Sequence, residues 1–269
     1  MNRPAPHLST VRVHGLDFVD LDPTQLRDEL ERRLLHGPST AVFTPNALIG
    51  DRALGEVELH RLLGRADLLL PDGQGVLAAS RRQTPHAPLR YRLPGIEAGE
   101  TVLHLCAAHG RSVYFLGGKE GVAAAAARHW QARLPGLRVV GHRSGYFDKW
   151  GEEGQRVCAD IAARAPDVLI VCFGFPCQER WIVEHRDALP SVRLFLGLGG
   201  SMDVWAGRVR RAPLAFRRAH LEWLWRGLCQ PRRLGDVPRL LHYVLTPTCG
   251  ENQRISLPRT FKNSQNQQN

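Results

Sequence analysis

The feature that most constrains this chain is an alternation. Short, almost unbroken apolar runs are separated by segments of helix length, from Thr40 to Gly200. The runs are "TAVFT", "ADLLL", "SVYFLGG", "LRVVG", "DVLIVCFG" and "VRLFLGLGG". Between them the pattern predicts helices over 46–64, from just after Asp72, and over 95–109, 119–134, 152–164 and 178–188. A strand that reads as apolar on both sides must be covered on both sides. Alternating strands and helices of this kind predict an α/β fold with a mostly parallel sheet and helices on both faces. No internal repeat interrupts the pattern.

In such a sheet, ligands bind beyond the carboxyl ends of the strands. Those ends share a character here. "VFTPN" ends on Thr44 and Asn46, and "LLLPDG" on Asp72, held between Pro71 and Gly73. "YFLGG" ends on Gly117 and Gly118. "CFGFPCQE" ends on Gly174, Gln178 and Glu179, and "LGLGGSMD" on Gly199, Gly200 and Asp203. A parallel sheet gathers them all on one edge. Taken alone, Asp72 could be a helix cap, as Asp often is. Glycines after a strand can let phosphate or ribose reach the amides at a helix N-terminus, and they also serve as plain turns. A dinucleotide fingerprint is rejected at "GGKEG", because the next strand ends "VVGHR" without the acid that would hold a ribose.

Other chemistries find little support. "DLD", Asp20 to Asp22, has the spacing of a metal-holding pair. However, Pro23, Thr24 and "QLRDELERRL" follow, so Asp22 reads as a helix N-cap. The histidines lack ligand spacing, and no G-x-S-x-G elbow is present. The cysteines, Cys106, Cys158, Cys172, Cys177, Cys229 and Cys249, form no C-x-x-C pair, and several lie in apolar runs. That usage fits a reducing cytoplasm. "MNRPAPHLST" has no apolar signal core, and no run approaches the ~20 apolar residues of a membrane span. Any membrane contact is therefore expected to be peripheral.

The net charge of +10 is concentrated late in the chain. Arginines 208, 210, 211, 217, 218, 226, 232, 233 and 239 lie between Trp205 and Leu245, against Glu222 and Asp236, together with Trp205, Trp223 and Trp225. This stretch could bind nucleic acid, lie at an anionic membrane surface, or pack as helices on the sheet with a solvated charged face. The predicted divisions are a core over 1–203, a basic Trp/Arg-rich appendage over 204–247, and a disordered Gln/Asn-rich tail over 248–269.

"TPNALI", "LLLPDGQGVLAASR", "YRLPGIE", "VYFLGG", "GYF", "VCFGFPCQERWI", "GLGGSMDVWAGRVRRAP" and "LEWLWRG" resemble, in order and spacing, the bacterial WecG/TagA/CpsF glycosyltransferases, over about Val11 to Leu245. The resemblance implies a Rossmann-like core with a membrane-associating C-terminal appendage. It implies inverting transfer of a sugar from a UDP-sugar to a polyprenyl-diphosphate saccharide in cell-surface polysaccharide synthesis. The enzyme would be cytoplasmic, attached peripherally to the inner face of the membrane, and would need no metal or other cofactor. The family's base falls on Asp72, and its pocket residues on Thr44, Asn46, Gln178 and Glu179. Its appendage arginines fall on Arg211 and Arg226. The strand-end glycines Gly117, Gly118, Gly174, Gly199 and Gly200 are the expected bed for the nucleotide. Glu97 stands where the family often has Asp, which leaves its role open. The competing reading is an α/β protein that binds nucleic acid through its basic stretch; it gives no reason for the strand-end cluster around Asp72.

Overall fold

The computed structural model describes residues 8–213, 215–216, 225 and 235–247. Expectations for Trp223, Arg217, Arg218, Arg226, Arg232, Arg233 and the 248–269 tail fall outside these residues.

The chain opens with an antiparallel hairpin, β1 (Thr10–Val13) and β2 (Leu16–Val19). Its two-residue turn, His14-Gly15, holds both residues at positive φ, 49° and 79°, as a tight hairpin turn matched to strand twist requires. The sequence pattern did not single out this hairpin. Asp22 then caps α1 (Pro23–His36). Its side chain accepts from the Thr24 and Gln25 amides, and Gln25 returns a bond to the Asp22 amide. This capping box satisfies otherwise orphaned helix N–H groups. Asp20 is engaged separately by the Arg90 guanidinium at 2.8 Å and the Arg90 amide at 2.9 Å.

The expected parallel sheet has six strands in the order β4-β3-β8-β7-β5-β6. They are β3 (Thr40–Phe43), β4 (Leu68–Leu69), β5 (Ser112–Gly117), β6 (Arg138–Arg143), β7 (Val168–Cys172) and β8 (Leu194–Gly197). All pairings are parallel. Every residue of β3, β5, β7 and β8 is buried, which is why these strands read as apolar runs.

Alternate strand residues face two separate cores. One core gathers Val42, Phe115, Ile170 and Leu196 beneath α1, α5 (Gly95–Ala108), α6 (Val122–Arg133) and α9 (Ser201–Trp205). The other gathers Phe43, Leu116, Val171 and Phe195 with α2 (Ala47–Gly55), α3 (Val57–Leu63), α4 (Gln74–Gln83), α7 (Glu152–Arg164), α8 (Cys177–His185) and the inward side chains of the hairpin. The single helix expected over 46–64 is two helices, broken at Glu56, whose backbone is extended (φ −133°, ψ 105°).

The last described helix, α10 (Val237–Leu245), packs on α2 and α4. Tyr243 is 2% exposed within the second core, and the His14 ring donates from Nε2 to the Tyr243 carbonyl at 2.9 Å. The last part of the basic stretch is thus fastened to the core through the hairpin turn.

Candidate active site

The strand order places the residues anticipated from the sequence along one edge. β5 is followed by a helix on one face and its neighbour β7 by a helix on the other. Such a change of direction opens a crevice at the strand ends. A cleft of about 730 Å³ lies there, lined by Gly118, Lys119, Gly145, Tyr146, Phe147, Lys149, Cys172, Phe173, Gly174, Gly199, Gly200 and Asp203. It draws on the ends of β5, β6, β7 and β8.

Of the glycines expected to bed a nucleotide, Gly118, Gly174, Gly199 and Gly200 line this cleft, and Gly117 lies just behind it. Three of their amides are already used. Gly118 N–H donates to the Cys172 carbonyl at 3.1 Å. Gly174 and Gly199 N–H both donate to Gln178 Oε1, at 3.1 and 2.9 Å. These glycines therefore shape the wall, with Gly174 and Gly199 at φ 83° and 52°, a backbone that L side chains rarely adopt. Gly200 is exposed, and a Cβ there would meet nothing within 4 Å.

Gln178 and Glu179 are buried at 3% and 2% exposure and do not line the cleft. Gln178 Nε2 donates to Glu179 Oε1 at 2.9 Å. Glu179 Oε2 is buried without a hydrogen-bond partner among the described residues. Burial pushes the Glu179 carboxyl up to about 7, opposed by the Gln178 amide and its own backbone N–H.

Charge at the cleft comes from residues that sequence reasoning passed over or named only in passing. The Lys149 ammonium donates to the Gly145 carbonyl at 2.6 Å and lies 4.7 Å from the Phe173 ring centre and 5.1 Å from that of Phe147. Lys119 is exposed just before α6. Asp203, in the first turn of α9, is the one carboxylate among the described lining residues. The signal for Lys149 was present in "GYFDKW", directly after β6, but nothing in the sequence alone brings that loop to the β7 end. Burial pushes the Cys172 thiol up to about 12, which disfavours the nucleophilic thiolate. Among the described residues, no group of three or more His, Cys, Asp and Glu could hold a metal ion.

The remaining candidates sit on the other half of the edge. Thr44 follows β3, its Oγ1 donating to the Gly197 carbonyl of β8 at 3.3 Å. It lies against α5, where a Cβ at Gly95 would come within 2.6 Å of Thr44 Oγ1. Asn46 caps α2, its Oδ1 accepting from the Leu48 and Ile49 amides at 3.0 and 3.1 Å. Asp72 follows β4, half-buried. It does not cap α4: the N-cap is Gly73, at φ 102°. The capping role open to Asp72 in the sequence thus falls to its neighbour. The Leu93 amide donates to the Pro71 carbonyl at 2.9 Å, so the segment carrying Arg92 runs beside Asp72. At ~4.8 Å per strand, the end of β4, which Asp72 follows, stands roughly 10 Å from the end of β8 at the cleft.

Arg211 lies beside α5. It pairs with Glu97 at 2.5 Å and approaches Glu100 at 3.6 Å, while Trp205 Nε1 donates to Glu100 at 3.3 Å. Arg211 Nε is buried without a partner among the described residues. Arg226 lies outside them.

The sequence model of the Glycosyl transferase WecG/TagA/CpsF family matches residues 11–248. An N-acetylglucosaminyldiphosphoundecaprenol N-acetyl-beta-D-mannosaminyltransferase of Bacillus spizizenii is 35% identical over 243 residues, which covers 88% of this chain and 91% of the relative. A protein of the same name from Staphylococcus aureus is 32% identical over 229 residues, covering 84% of this chain and 87% of the relative.

Proposed function

The chain belongs to the WecG/TagA/CpsF family of glycosyltransferases, and on that premise we propose that it moves an N-acetylhexosamine, N-acetylmannosamine as in its named relatives, from a UDP-sugar to a polyprenyl-diphosphate-linked saccharide. The observation that carries this reading is spatial. A cleft sized for a nucleotide and a turn-held carboxylate, Asp72, share one edge of the sheet, two strands apart.

The cleft would take the UDP. Lys119 and Lys149 would face its diphosphate, and the Asp203 carboxylate can accept from a ribose hydroxyl. The sugar would then extend across the ends of β8 and β3, past Thr44, toward Asp72. The acceptor hydroxyl oxygen attacks the anomeric carbon as its proton passes to the Asp72 carboxylate. The bond from that carbon to the diphosphate breaks, and UDP leaves with the electron pair. One displacement inverts the anomeric centre. Stabilising the departing charge asks for cations placed in advance. Lys119 and Lys149 in the lining are such groups, and Arg211 would join them from beside α5.

The lipid-linked acceptor places the work at a membrane. No described helix is long and apolar enough to cross one, so we propose peripheral attachment at the inner face through 204–247. Leu241 and Leu245 on α10, each 54% exposed, support an apolar contact, and the arginines of the stretch an electrostatic one. Titration calorimetry with UDP, followed by turnover of a UDP-N-acetylmannosamine donor on a synthetic prenyl-diphosphate N-acetylglucosamine, tests the reading. Absence of UDP binding by the folded protein would remove it.

A further inference from the structure

Behind the cleft lies a polar chain that the proposed reaction does not use. Gln178 and Glu179 are adjacent at the start of α8, and both are almost wholly buried. A carboxamide has a donor end and an acceptor end, and reversing it exchanges them. Here the ends are assigned by their neighbours. Glu179 Oε1 accepts from Nε2, at 2.9 Å, and Oε1 of Gln178 faces the other way. There it takes two backbone amides at once, from Gly174 after β7 and Gly199 after β8. These two turns are separate in the sequence and both bond this one oxygen. Both line the cleft.

We propose that Glu179 is a positioning residue for donor binding: by fixing the orientation of Gln178 it pins the Gly174 and Gly199 turns at the spacing that a nucleotide requires.

The surroundings of Glu179 favour this over an ion-pair role. On α8 itself Arg180 and Glu184 are exposed, and His185 bonds the Trp181 carbonyl. Of the strands against it, β3, β7 and β8 carry Cys172 as their one titratable side chain. α3 adds Glu58, His60 and Arg61, and the turn after α8 adds Arg186 and Asp187. Arg61 is paired with Glu58, His60 with the His14 carbonyl, and Arg186 with Asp67 and Ser39. None of these bonds Glu179. A buried acid with no cation is costly unless it serves a defined hydrogen bond, and its side-chain partner is Gln178.

The inference rests on the cleft holding the donor, and its test separates the two. Glu179→Gln keeps an acceptor at the same reach. Glu179→Asp keeps the acid but withdraws it by one methylene. UDP dissociation constants by calorimetry are expected within about twofold of wild type for Glu179→Gln and about tenfold weaker for Glu179→Asp, the size of one lost buried hydrogen bond. At saturating donor, kcat should move less than KM, because Asp72 is untouched. A folded Glu179→Asp protein with wild-type UDP affinity, or a Glu179→Gln protein as impaired as Glu179→Asp, overturns the proposal. Amide exchange by NMR supplies the arm that needs no ligand and no altered Glu179. In wild type the Gly174 and Gly199 amides should be protected, and in Gln178→Met both should lose protection together. Independent exchange of the two amides also overturns it, whereas failure of UDP to bind wild type would overturn the donor reading and leave this arm to decide.

Discussion

Arg211, at the start of the basic stretch, is held by Glu97 in the first turn of α5, with Arg211 Nη2 and Glu97 Oε1 2.5 Å apart. The pair answers what the longer acid at position 97 does here: it reaches the arginine that the family resemblance assigns to the diphosphates. Glu97 is half-exposed, so the pair itself stabilises the fold by less than about 1 kcal/mol. The pair holds the guanidinium beside α5. Arg211→Ala should lower kcat/KM at least tenfold on a lipid-diphosphate acceptor, while Glu97→Gln, which leaves the cation in place, should cost only a few-fold. Steady-state turnover of both variants checks this, and equal losses would mean that the pair, not the cation, matters.

Asp72→Asn should lose turnover by ~10²–10⁴-fold, the range for a removed general base. The structure sharpens the control. Since Gly73 holds the N-cap position of α4, the substitution removes no helix N-cap, and UDP affinity should stay close to wild type. Turnover within a few-fold of wild type would end the assignment.

Asn46 calls for a different pair of variants, because its Oδ1 already caps α2. Asn46→Asp preserves the cap and Asn46→Ala removes it, at about 1 kcal/mol. If Asn46 also serves the reaction, both variants lose turnover although only Asn46→Ala is less stable in urea. If Asn46→Asp is fully active, Asn46 is a cap and nothing more.

Much of this site was legible because parallel strands covered on both faces have no polar side to disguise them. The residues from Ser112 to Gly117 are all buried, and the apolar run in the sequence is the strand. Strand ends are legible for the same reason, since each run stops where the covering helix begins. What could not be read is contact between ends. Gln178 joins Gly174 and Gly199 across two loops, Lys149 after β6 reaches the Phe173 ring after β7 although β5 lies between those strands, and neither meeting has a sequence period. The β1–β2 hairpin escaped because its turn is His-Gly rather than Asn-Gly or Asp-Gly. The break between α2 and α3 escaped because no proline marks it.

The Glu179 carboxyl gives a pH dependence with a defined sign. Burial raises it in the folded protein to about 7, from 4.5. Between these values the folded state holds a proton that the unfolded state has lost. The contribution is full below pH 4.5 and is lost as pH rises through about 7, amounting to roughly 3 kcal/mol. Glu29 and Asp167, held low by Arg32 and Arg33 and by Ser112 and Arg111 despite their burial, act in the opposite sense at acid pH. Glu179→Gln shares those groups and lacks this one. Urea midpoints of the two proteins from pH 5 to 8 should therefore diverge, with Glu179→Gln gaining on wild type as pH rises. Parallel curves would mean that the carboxyl titrates elsewhere.

The final prediction concerns α10, which belongs to the basic stretch by sequence and to the core by contact. A Cβ at Gly50 would stand 2.3 Å from the Tyr243 ring, and the His14 ring lies 4.5 Å away, centre to centre. Tyr243→Ala should thus cost ~3 kcal/mol, as for other buried aromatics. Cutting the chain after Asp203 removes the same anchor, so lost activity in such a truncation would not isolate a membrane role. The outward face of α10 does isolate it. Leu241 and Leu245 are each 54% exposed, and changing both to Ser should alter stability by about 0.5 kcal/mol per site or less. Docking on anionic vesicles should weaken severalfold, while UDP affinity stays unchanged. Wild-type vesicle binding by Leu241→Ser/Leu245→Ser would assign the membrane contact to the other residues of 204–247, and raised salt would then abolish binding if arginine charge alone sustains it.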